Sequence, residues 1–269
     1  MTPSIPPTRS RWVHRDRVWL HVLDTGPPGT PVVLLHGLAG SARELLPTAG
    51  ALADDFRVLL PDQRGHGRST RLPEDTSREA FVADTVALIE GLDRPVDLVG
   101  QSMGGHTALL TAVDRPDLVD RLVLLETHPG GGDPAQAADL GAFLASWPLP
   151  FATPKVARSF LGEGVLARAW IEDLEQACGG LRPRFDPLVM ERTLRAVLEP
   201  RWAEWERLEV PTLAVFAEHG MFTADQKEEM IARRPHTHRV DLPGASHDAH
   251  LDRHGLWVDT LRRWLARSW

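Results

Sequence analysis

Short apolar runs recur along the chain, and segments of helical length separate them. These runs are apolar on both faces, as expected for parallel strands that are covered by helices on both sides. The runs are PVVLL from Pro31, FRVLL from Phe56, VDLVG from Val96, RLVLL from Arg121 and TLAVF from Thr212. The pattern predicts an α/β fold with a mostly parallel sheet flanked by helices.

The segments between and around these runs complete the sheet. Apolar residues fall at helical spacing in SREAFVADTVALIEGL, which Thr76 or Ser77 would cap, and in GGHTALLTAV. RWVHRDR and VWLHVLDTG alternate like a hairpin on the sheet edge, whereas HRVDLP and HGLWVDTLRRWLARSW are typical of a last strand and a last amphipathic helix.

The alternation of strand and helix breaks once, between Leu125 and Thr212. The interval opens with the Gly/Pro-rich stretch HPGGGDP and continues with the helical segments PAQAADLGAFLASW, PKVARSFL, GVLARAWIEDLEQA and PLVMERTLRAVL. We therefore predict a helical cap over the carboxyl edge of the sheet. The predicted division is a core of residues 1–127 and 210–269 and a cap of residues 128–209.

Composition narrows the class of protein. The 269 residues are 42% hydrophobic and carry 30 Lys and Arg against 37 Asp and Glu, a net charge of -7, which argues against nucleic-acid and membrane-surface partners. Cys178 is the only cysteine, so no disulfide framework exists, and we expect a small apolar side chain on a helix. We expect no metal or cofactor.

The chain has no apolar segment typical of a secretion signal or a membrane span. The N-terminal segment MTPSIPPTRSRWVHRDR contains prolines and charges, and no run elsewhere approaches the ~18 apolar residues of a spanning helix. These observations predict a cytoplasmic protein with a small-molecule substrate, and they leave its oligomeric state open.

Polar residues follow the predicted strands at their carboxyl ends. Ligands of open parallel sheets bind beyond these ends. The strongest signal is VGQSMGG, in which Gly100, Ser102 and Gly104 form G-x-S-x-G between a strand and a helix. The small neighbours allow a sharp turn that exposes the serine hydroxyl as a nucleophile, although an ordinary turn with a capping serine has the same pattern.

At this motif the chain resembles the α/β-hydrolase superfamily, and the resemblance covers nearly its whole length. LLHGLAGS is similar to the His-Gly loop of that family, which implies that the backbone N–H groups of Leu38 and Met103 stabilise an oxyanion. LPGASHDAH resembles the segment that carries the catalytic histidine, which implies His247. Nearby, His250 and His254 are expected to be solvated helix residues.

A loop similar to PDQRGHGRS is mostly structural in the family. This resemblance implies that Asp62, Arg64 and His66 hold the loop in place and do not react.

The triad acid does not stand where most of the superfamily has it. That slot, in AEHG, is occupied by Gly220, whereas some members place the acid after the strand that follows the nucleophile helix. Here that strand is followed by Glu126. A single crossover connection would bring Glu126 beside the turn that carries Ser102. We favour Glu126, and the alternatives are Glu218, Asp225 and a triad without an acid; Asp225 also suits the first turn of a helix.

The cap sequence is rich in aromatic residues: Phe143, Trp147, Phe151, Phe160, Trp170, Phe185, Trp202 and Trp205. Most would form the core of the cap, and a minority would line a site for an apolar or weakly polar substrate.

The resemblance and the motifs together predict a serine hydrolase that cleaves a carboxylic ester or lactone through an acyl-enzyme. A thioesterase, an amidase, a carbon-carbon bond hydrolase and a perhydrolase share the fold and the triad and stay open. A binding protein that lost turnover is the alternative outside enzymes, and Gly220 is its main support.

Overall fold

The computed structural model describes residues 7–27 and 29–268. The first six residues, Pro28 and Trp269 lie outside the described residues. The first six belong to the N-terminal segment in which the sequence predicts no secretion signal.

The centre of the structure is an eight-stranded sheet, which confirms the predicted α/β class. Its strands are β1 (Arg9–Arg15), β2 (Val18–Asp24), β3 (Pro31–Leu35), β4 (Arg57–Pro61), β5 (Val96–Gln101), β6 (Val119–Leu125), β9 (Thr212–His219) and β10 (His238–Ser246). The spatial order is β1-β2-β4-β3-β5-β6-β9-β10. β1 and β2 form the predicted antiparallel hairpin at one edge, β2 is also antiparallel to β4, and the other neighbours are parallel.

Helices cover both faces of the sheet because successive residues of its central strands point to opposite sides. In β3, Val32 and Leu34 belong to one buried cluster, and Val33 and Leu35 belong to the other. The helices outside the predicted cap are α1 (Leu46–Leu52), α2 (Arg78–Glu90), α3 (Met103–Asp114), α9 (Ala224–Arg233), α10 (Ala249–Asp252) and α11 (His254–Leu265), with single 3-10 turns at Ala42–Leu45 and Pro116–Leu118. Ser77, one of the two predicted caps, accepts a hydrogen bond from the N–H of Ala80 at the start of α2.

The segment between β6 and β9 is mainly helical. It contains α4 (Ala135–Ala145), α5 (Pro154–Leu161), α6 (Val165–Asp173), the hairpin β7 (Glu175–Ala177) and β8 (Gly180–Arg182), α7 (Pro187–Val197) and α8 (Trp202–Arg207). A separate buried cluster that includes Trp147, Phe151 and Phe185 gives this segment a core of its own. The boundary between core and cap at residues 128 and 209 remains a prediction.

The prediction for Cys178 is wrong. α6 ends at Asp173, and Cys178 lies exposed in the turn between β7 and β8. Gly179 (φ +84°) and Gly180 (φ +151°) follow it with backbone angles that favour glycine, so the chain turns here instead of continuing the helix.

The described helices include none that combines the length and the apolar character needed to cross a membrane.

Candidate active site

The turn between β5 and α3 holds Ser102 in a strained backbone conformation, with φ 51° and ψ -118°. Two glycines make the turn possible. A Cβ atom on Gly100 would lie 2.3 Å from the carbonyl oxygen of Gly104, and one on Gly104 would lie 2.3 Å from the carbonyl oxygen of Leu35. The strained, tightly packed turn is the geometry expected of a nucleophile elbow.

Glu126, directly after β6, points its carboxylate at the imidazole of His247. The distance from Oε2 to His247 Nδ1 is 3.2 Å. The backbone N–H of Ala217 donates to Oε1 at 2.7 Å, and that of Met221 donates to Oε2 at 2.9 Å. The side chain is fully buried, so these donors compensate the cost of removing the carboxylate from water.

Gln101, directly before Ser102 in the motif, also contacts His247. Its amide Nε2 lies 3.4 Å from His247 Nε2 and donates to the backbone oxygen of His247 at 3.3 Å. The carboxylate of Glu126 is an acceptor, so in the neutral imidazole the proton lies on Nδ1, facing Glu126, and Nε2 is the acceptor. A histidine that accepts at Nε2 and donates at Nδ1 is prepared to take a proton from a serine hydroxyl.

Gly220 stands where most relatives carry the acid, and the carboxylate of Glu126 occupies the adjacent space. A Cβ atom on Gly220 would lie 2.2 Å from Oε2 of Glu126. The two other candidate acids lie elsewhere. Glu218 is exposed and accepts from the N–H of Gly244 at 2.7 Å, and Asp225 lies in the first turn of α9.

The two residues proposed for the oxyanion hole are Leu38 and Met103. Leu38 lines the same cavity as Ser102, and Met103 is the first residue of α3, where a backbone N–H has no partner within the helix. A Cβ atom on Gly37 would lie 2.2 Å from Oε1 of Gln101, so a larger residue there would displace the Gln101 side chain. Their role as donors remains a prediction.

The loop after β4 has the contacts of a structural element. Asp62 accepts from the N–H groups of Ala42 (2.8 Å) and Arg68 (3.0 Å) and from Nδ1 of His21 (2.9 Å). The guanidinium of Arg64 binds both carboxylate oxygens of Asp84 at 2.7 Å. His66 is fully buried, with its Nδ1 2.9 Å from the carbonyl oxygen of Arg64.

The expectation that His250 is solvated is wrong. Its side chain is buried, with Nε2 3.6 Å from Oε1 of Glu44, because the short helix α10 packs under the cap against α6. His254 is half-buried.

A cavity of about 440 Å³ connects the proposed triad to the helical segment. Ser102, Glu126 and His247 line its floor, and α4, α6 and α7 contribute an apolar wall that includes Leu140, Leu166, Trp170, Leu194, Val197 and Leu198. Among the described residues that line the cavity, none is a lysine or an arginine. Its volume is that of a site for a small organic molecule.

Of the aromatic residues in the predicted cap, only Trp170 lines this cavity within the described part of the chain. Trp147, Phe151, Phe185 and Trp205 are buried in hydrophobic clusters. Most of the aromatic residues therefore pack within the protein, and a minority faces the site.

Sequence reasoning missed several polar residues that line the cavity, among them Gln101, His106 and His128. Both ring nitrogens of His128 are occupied: Nε2 lies 3.0 Å from the carbonyl oxygen of Gln226, and Nδ1 accepts from the N–H of Gly130 at 3.0 Å. Burial lowers the pKa of His128 below its usual value, so it is a neutral structural residue. Gln101 and His106 could have been found from their positions, directly before Ser102 and one helical turn after it.

Comparison with known proteins defines the family. The model of the alpha/beta hydrolase family matches residues 32–260. The sn-1-specific diacylglycerol lipase ABHD11 of Mus musculus is 30% identical over 263 residues, which cover 91% of this chain and 84% of the relative. The 2-(acetamidomethylene)succinate hydrolase of Mesorhizobium japonicum is 27% identical over 248 residues, 88% of each chain. The chain belongs to the alpha/beta hydrolase family.

The solved structures include an E-2-(acetamidomethylene)succinate hydrolase that superimposes with a TM-score of 0.89 and 23% identity, covering 97% of this chain and 100% of that one. At this identity the match demonstrates a shared fold. The family match therefore assigns this protein to the alpha/beta hydrolases.

Proposed function

We propose that this protein is a serine hydrolase that cleaves an uncharged carboxylic ester or lactone through an acyl-enzyme. The observation that carries the proposal is the 3.2 Å contact between Glu126 and His247 beside the strained turn at Ser102, all lining one cavity. A nucleophile, a base and an orienting acid are the groups that acyl transfer requires.

The reaction proceeds in two halves. Ser102 Oγ attacks the carbonyl carbon while its proton passes to Nε2 of His247, and the N–H groups of Leu38 and Met103 bind the oxyanion. The carbon–oxygen bond to the alcohol then breaks, and His247 returns the proton to the departing alkoxide. A water molecule, deprotonated by the same imidazole, then attacks the acyl carbon; the bond from that carbon to Ser102 Oγ breaks, the imidazolium returns its proton to Oγ, and the acid leaves. Glu126 holds Nδ1–H of His247 and stabilises the imidazolium.

The cavity lining favours an uncharged substrate. A carboxylate-bearing substrate needs a cation for a partner, and the described lining residues include Glu44 and Asp248 but no lysine or arginine. The Mus musculus relative is named for a diacylglycerol, which is an uncharged ester, whereas the Mesorhizobium japonicum relative is named for a succinate. The lining thus supports esters and lactones over succinate-type substrates.

The alternative of a binding protein rested on Gly220. The 3.2 Å contact between Oε2 of Glu126 and Nδ1 of His247 counts against this alternative, since a carboxylate stands beside the imidazole without an acid at position 220.

A fluorophosphonate probe, followed by mass spectrometry of the labelled peptide, tests the nucleophile. Wild-type protein is expected to be labelled at Ser102, and Ser102→Ala is expected to lose the label and essentially all turnover while keeping its circular dichroism spectrum. Retention of most of the activity by Ser102→Ala would exclude the serine mechanism.

A substrate panel tests the class of bond and the charge preference. We expect hydrolysis of p-nitrophenyl butyrate and of an uncharged lactone, with a much lower kcat/KM for p-nitrophenyl hemisuccinate, which adds a carboxylate. A thioester and an anilide of butyric acid test the thioesterase and amidase alternatives. If the hemisuccinate is the better ester, the proposed charge preference is wrong; if nothing is cleaved and Ser102 is not labelled, the binding alternative replaces the enzyme.

A further inference from the structure

Gln101 is a buried amide that the proposed mechanism does not use. It is the last residue of β5, directly before Ser102, and it is 4% exposed. Its side chain lines the cavity together with Ser102 and His247. Its Nε2 lies 3.3 Å from the backbone oxygen of His247 and 3.4 Å from the Nε2 atom of that ring. The amide therefore contacts both the backbone and the ring of the proposed base.

The orientation of this amide follows from its neighbours. The backbone oxygen of His247 only accepts hydrogen bonds, so the amide presents its NH2 group to His247. The amide oxygen then lies against the loop after β3, where a Cβ atom on Gly37 would be 2.2 Å from it. This loop continues into Leu38, one of the two proposed oxyanion donors. Gln101 is thus fixed between Gly37 and His247.

His247 depends on the amide because it lies outside the regular elements. β10 ends at Ser246 and α10 begins at Ala249, so His247 is in the turn between them. No backbone N–H in the described part of the chain donates to its carbonyl oxygen, whereas the side chain of Gln101 does. Since the oxygen and the ring belong to one residue, a shift of the oxygen also moves the ring. The position of Nε2 relative to Ser102 therefore depends on Gln101.

The contact with the ring nitrogen has a second effect. A neutral imidazole accepts at Nε2 and an imidazolium donates there, so an NH2 group beside this atom favours the neutral ring. The neutral ring is the form that takes the proton of Ser102. At 3.4 Å the contact is longer than the roughly 2.7–3.2 Å of N–H···O hydrogen bonds, so the hydroxyl of Ser102 can replace it during proton transfer.

We propose that Gln101 is a positioning residue that holds Nε2 of His247 at Ser102 and keeps the imidazole in its neutral form. This inference rests on the proposed ester hydrolase function. The titratable residues around His247 are Glu44, His106, Glu126, His128 and Asp248 in the cavity lining and His250 and Asp252 on α10. All of them are retained in the variants below, so they act on every pH profile that is compared.

Gln101→Met tests both effects, because methionine has a similar length and no N–H donor. The kcat and KM for p-nitrophenyl butyrate are measured from about pH 5 to 8.5. We expect kcat to fall about 10- to 100-fold and KM to stay within about threefold, since the ring is misplaced while the cavity remains. The pH at which kcat/KM reaches half its plateau should rise by about 0.5 unit, because the neutral ring loses a weak donor.

Two further variants complete the test. Gln101→Glu keeps the shape of the side chain, and its carboxylate favours the imidazolium, so the half-maximal pH should rise by about 1 unit or more, with a lower kcat. Gln176→Met is the matched control. It removes an amide that donates to the backbone oxygens of Ala177 and Gly180 at 3.3 Å and 3.2 Å, outside the cavity lining. Its kcat, KM and half-maximal pH should equal those of wild type.

The results distinguish this inference from the proposed function. Circular dichroism identifies the folded variants, and Gln101→Glu, which has the shape of glutamine, decides the test if Gln101→Met does not fold. A kcat within about threefold of wild type in the folded Gln101 variants overturns the inference while ester hydrolysis stands. A lower kcat with the half-maximal pH of wild type would mean that the amide only supports packing, and this result also overturns it. Absence of ester hydrolysis by wild type overturns both proposals.

Discussion

Glu126 reaches His247 from the strand beside the elbow, and its two backbone donors hold the carboxylate in one orientation. Glutamine keeps one acceptor oxygen, so one of these two N–H groups would face the amide NH2 group, and the charge that stabilises the imidazolium would be lost. We expect Glu126→Gln to lower kcat by roughly 10³ to 10⁴ with an unchanged circular dichroism spectrum. Glu218→Gln, the matched control on an exposed side chain, should stay within about threefold of wild type, measured on the same ester. The reverse ranking of the two variants would move the acid to Glu218.

The space beside Gly220 allows a test in which the acid is moved. Its φ lies outside the left-handed region, so the backbone accepts a side chain, and the obstacle is the carboxylate of Glu126 at 2.2 Å. Gly220→Asp alone should therefore impair kcat, through steric conflict and repulsion between carboxylates. In the Glu126→Ala background the same substitution should restore kcat by about tenfold or more over Glu126→Ala. Full activity of Gly220→Asp alone would contradict this geometry.

The sequence was sufficient to propose Ser102, His247 and Glu126, because each ends a predicted strand or lies in a motif. It could not reveal that the His106 ring has no hydrogen-bond partner among the described residues, or that Gln101 contacts His247. Those features depend on which side chains share a cavity, and hydrophobic periodicity does not contain that information.

Helix α3 packs closely against β3 and β5. The turn at Ser102 therefore also contributes to the packing of the helix on the sheet. A Cβ atom on Gly104 would lie 2.3 Å and 2.6 Å from the backbone oxygens of Leu35 and His36, which cannot move without shifting the strand. We expect Gly104→Ala to lower the free energy of unfolding by about 3 kcal/mol in urea titrations and to reduce turnover. Gly91→Ala is the matched control, since Gly91 ends α2 with φ -76° and its nearest contact would be 3.4 Å. It should change stability by less than about 1 kcal/mol. Equal effects of the two substitutions would contradict the packing argument.

Regular elements were predictable where their pattern was long. The strands of the main sheet and helices α2, α3 and α11 follow from apolar runs and helical spacing. The hairpin β7–β8 was missed because the helical spacing of α6 continues into GVLARAWIEDLEQA beyond Asp173, where the structure ends the helix. Strands of three residues are too short to show an alternation, and the glycines at 179 and 180 were the one available signal.

Parallel strands explain how distant sequence segments form one site. β5, β6 and β9 are neighbours in the sheet, and β10 follows β9, so the residues at their carboxyl ends meet at one edge. The order of elements in the sequence predicts that edge. The cavity above it depends on how α4, α6 and α7 pack, and no sequence pattern specified their orientation.

Buried histidines connect the stability of the protein to pH. His66 is fully buried beside His36, with ring centroids 5.1 Å apart. Burial, and then the charge of His36, lower the pKa of His66 from 6.5 to about 3. Between these two values the unfolded chain binds a proton at this position and the folded protein does not. The contribution of His66 to stability is therefore complete above pH 6.5 and is lost as pH falls towards 3.

His66→Gln tests this linkage, because glutamine keeps a donor for the carbonyl oxygen of Arg64 and does not titrate. The free energy of unfolding, measured by urea titration from pH 7 to pH 4, should fall more steeply for wild type than for the variant. The expected difference in slope is roughly 1.4 kcal/mol per pH unit between pH 6 and pH 4. Asp97 and Asp173, whose pKa values burial raises to about 6, act in the opposite direction, but they are present in both proteins and cancel in the difference. Parallel curves over this range would mean that His66 takes up a proton in the folded protein, contrary to its burial.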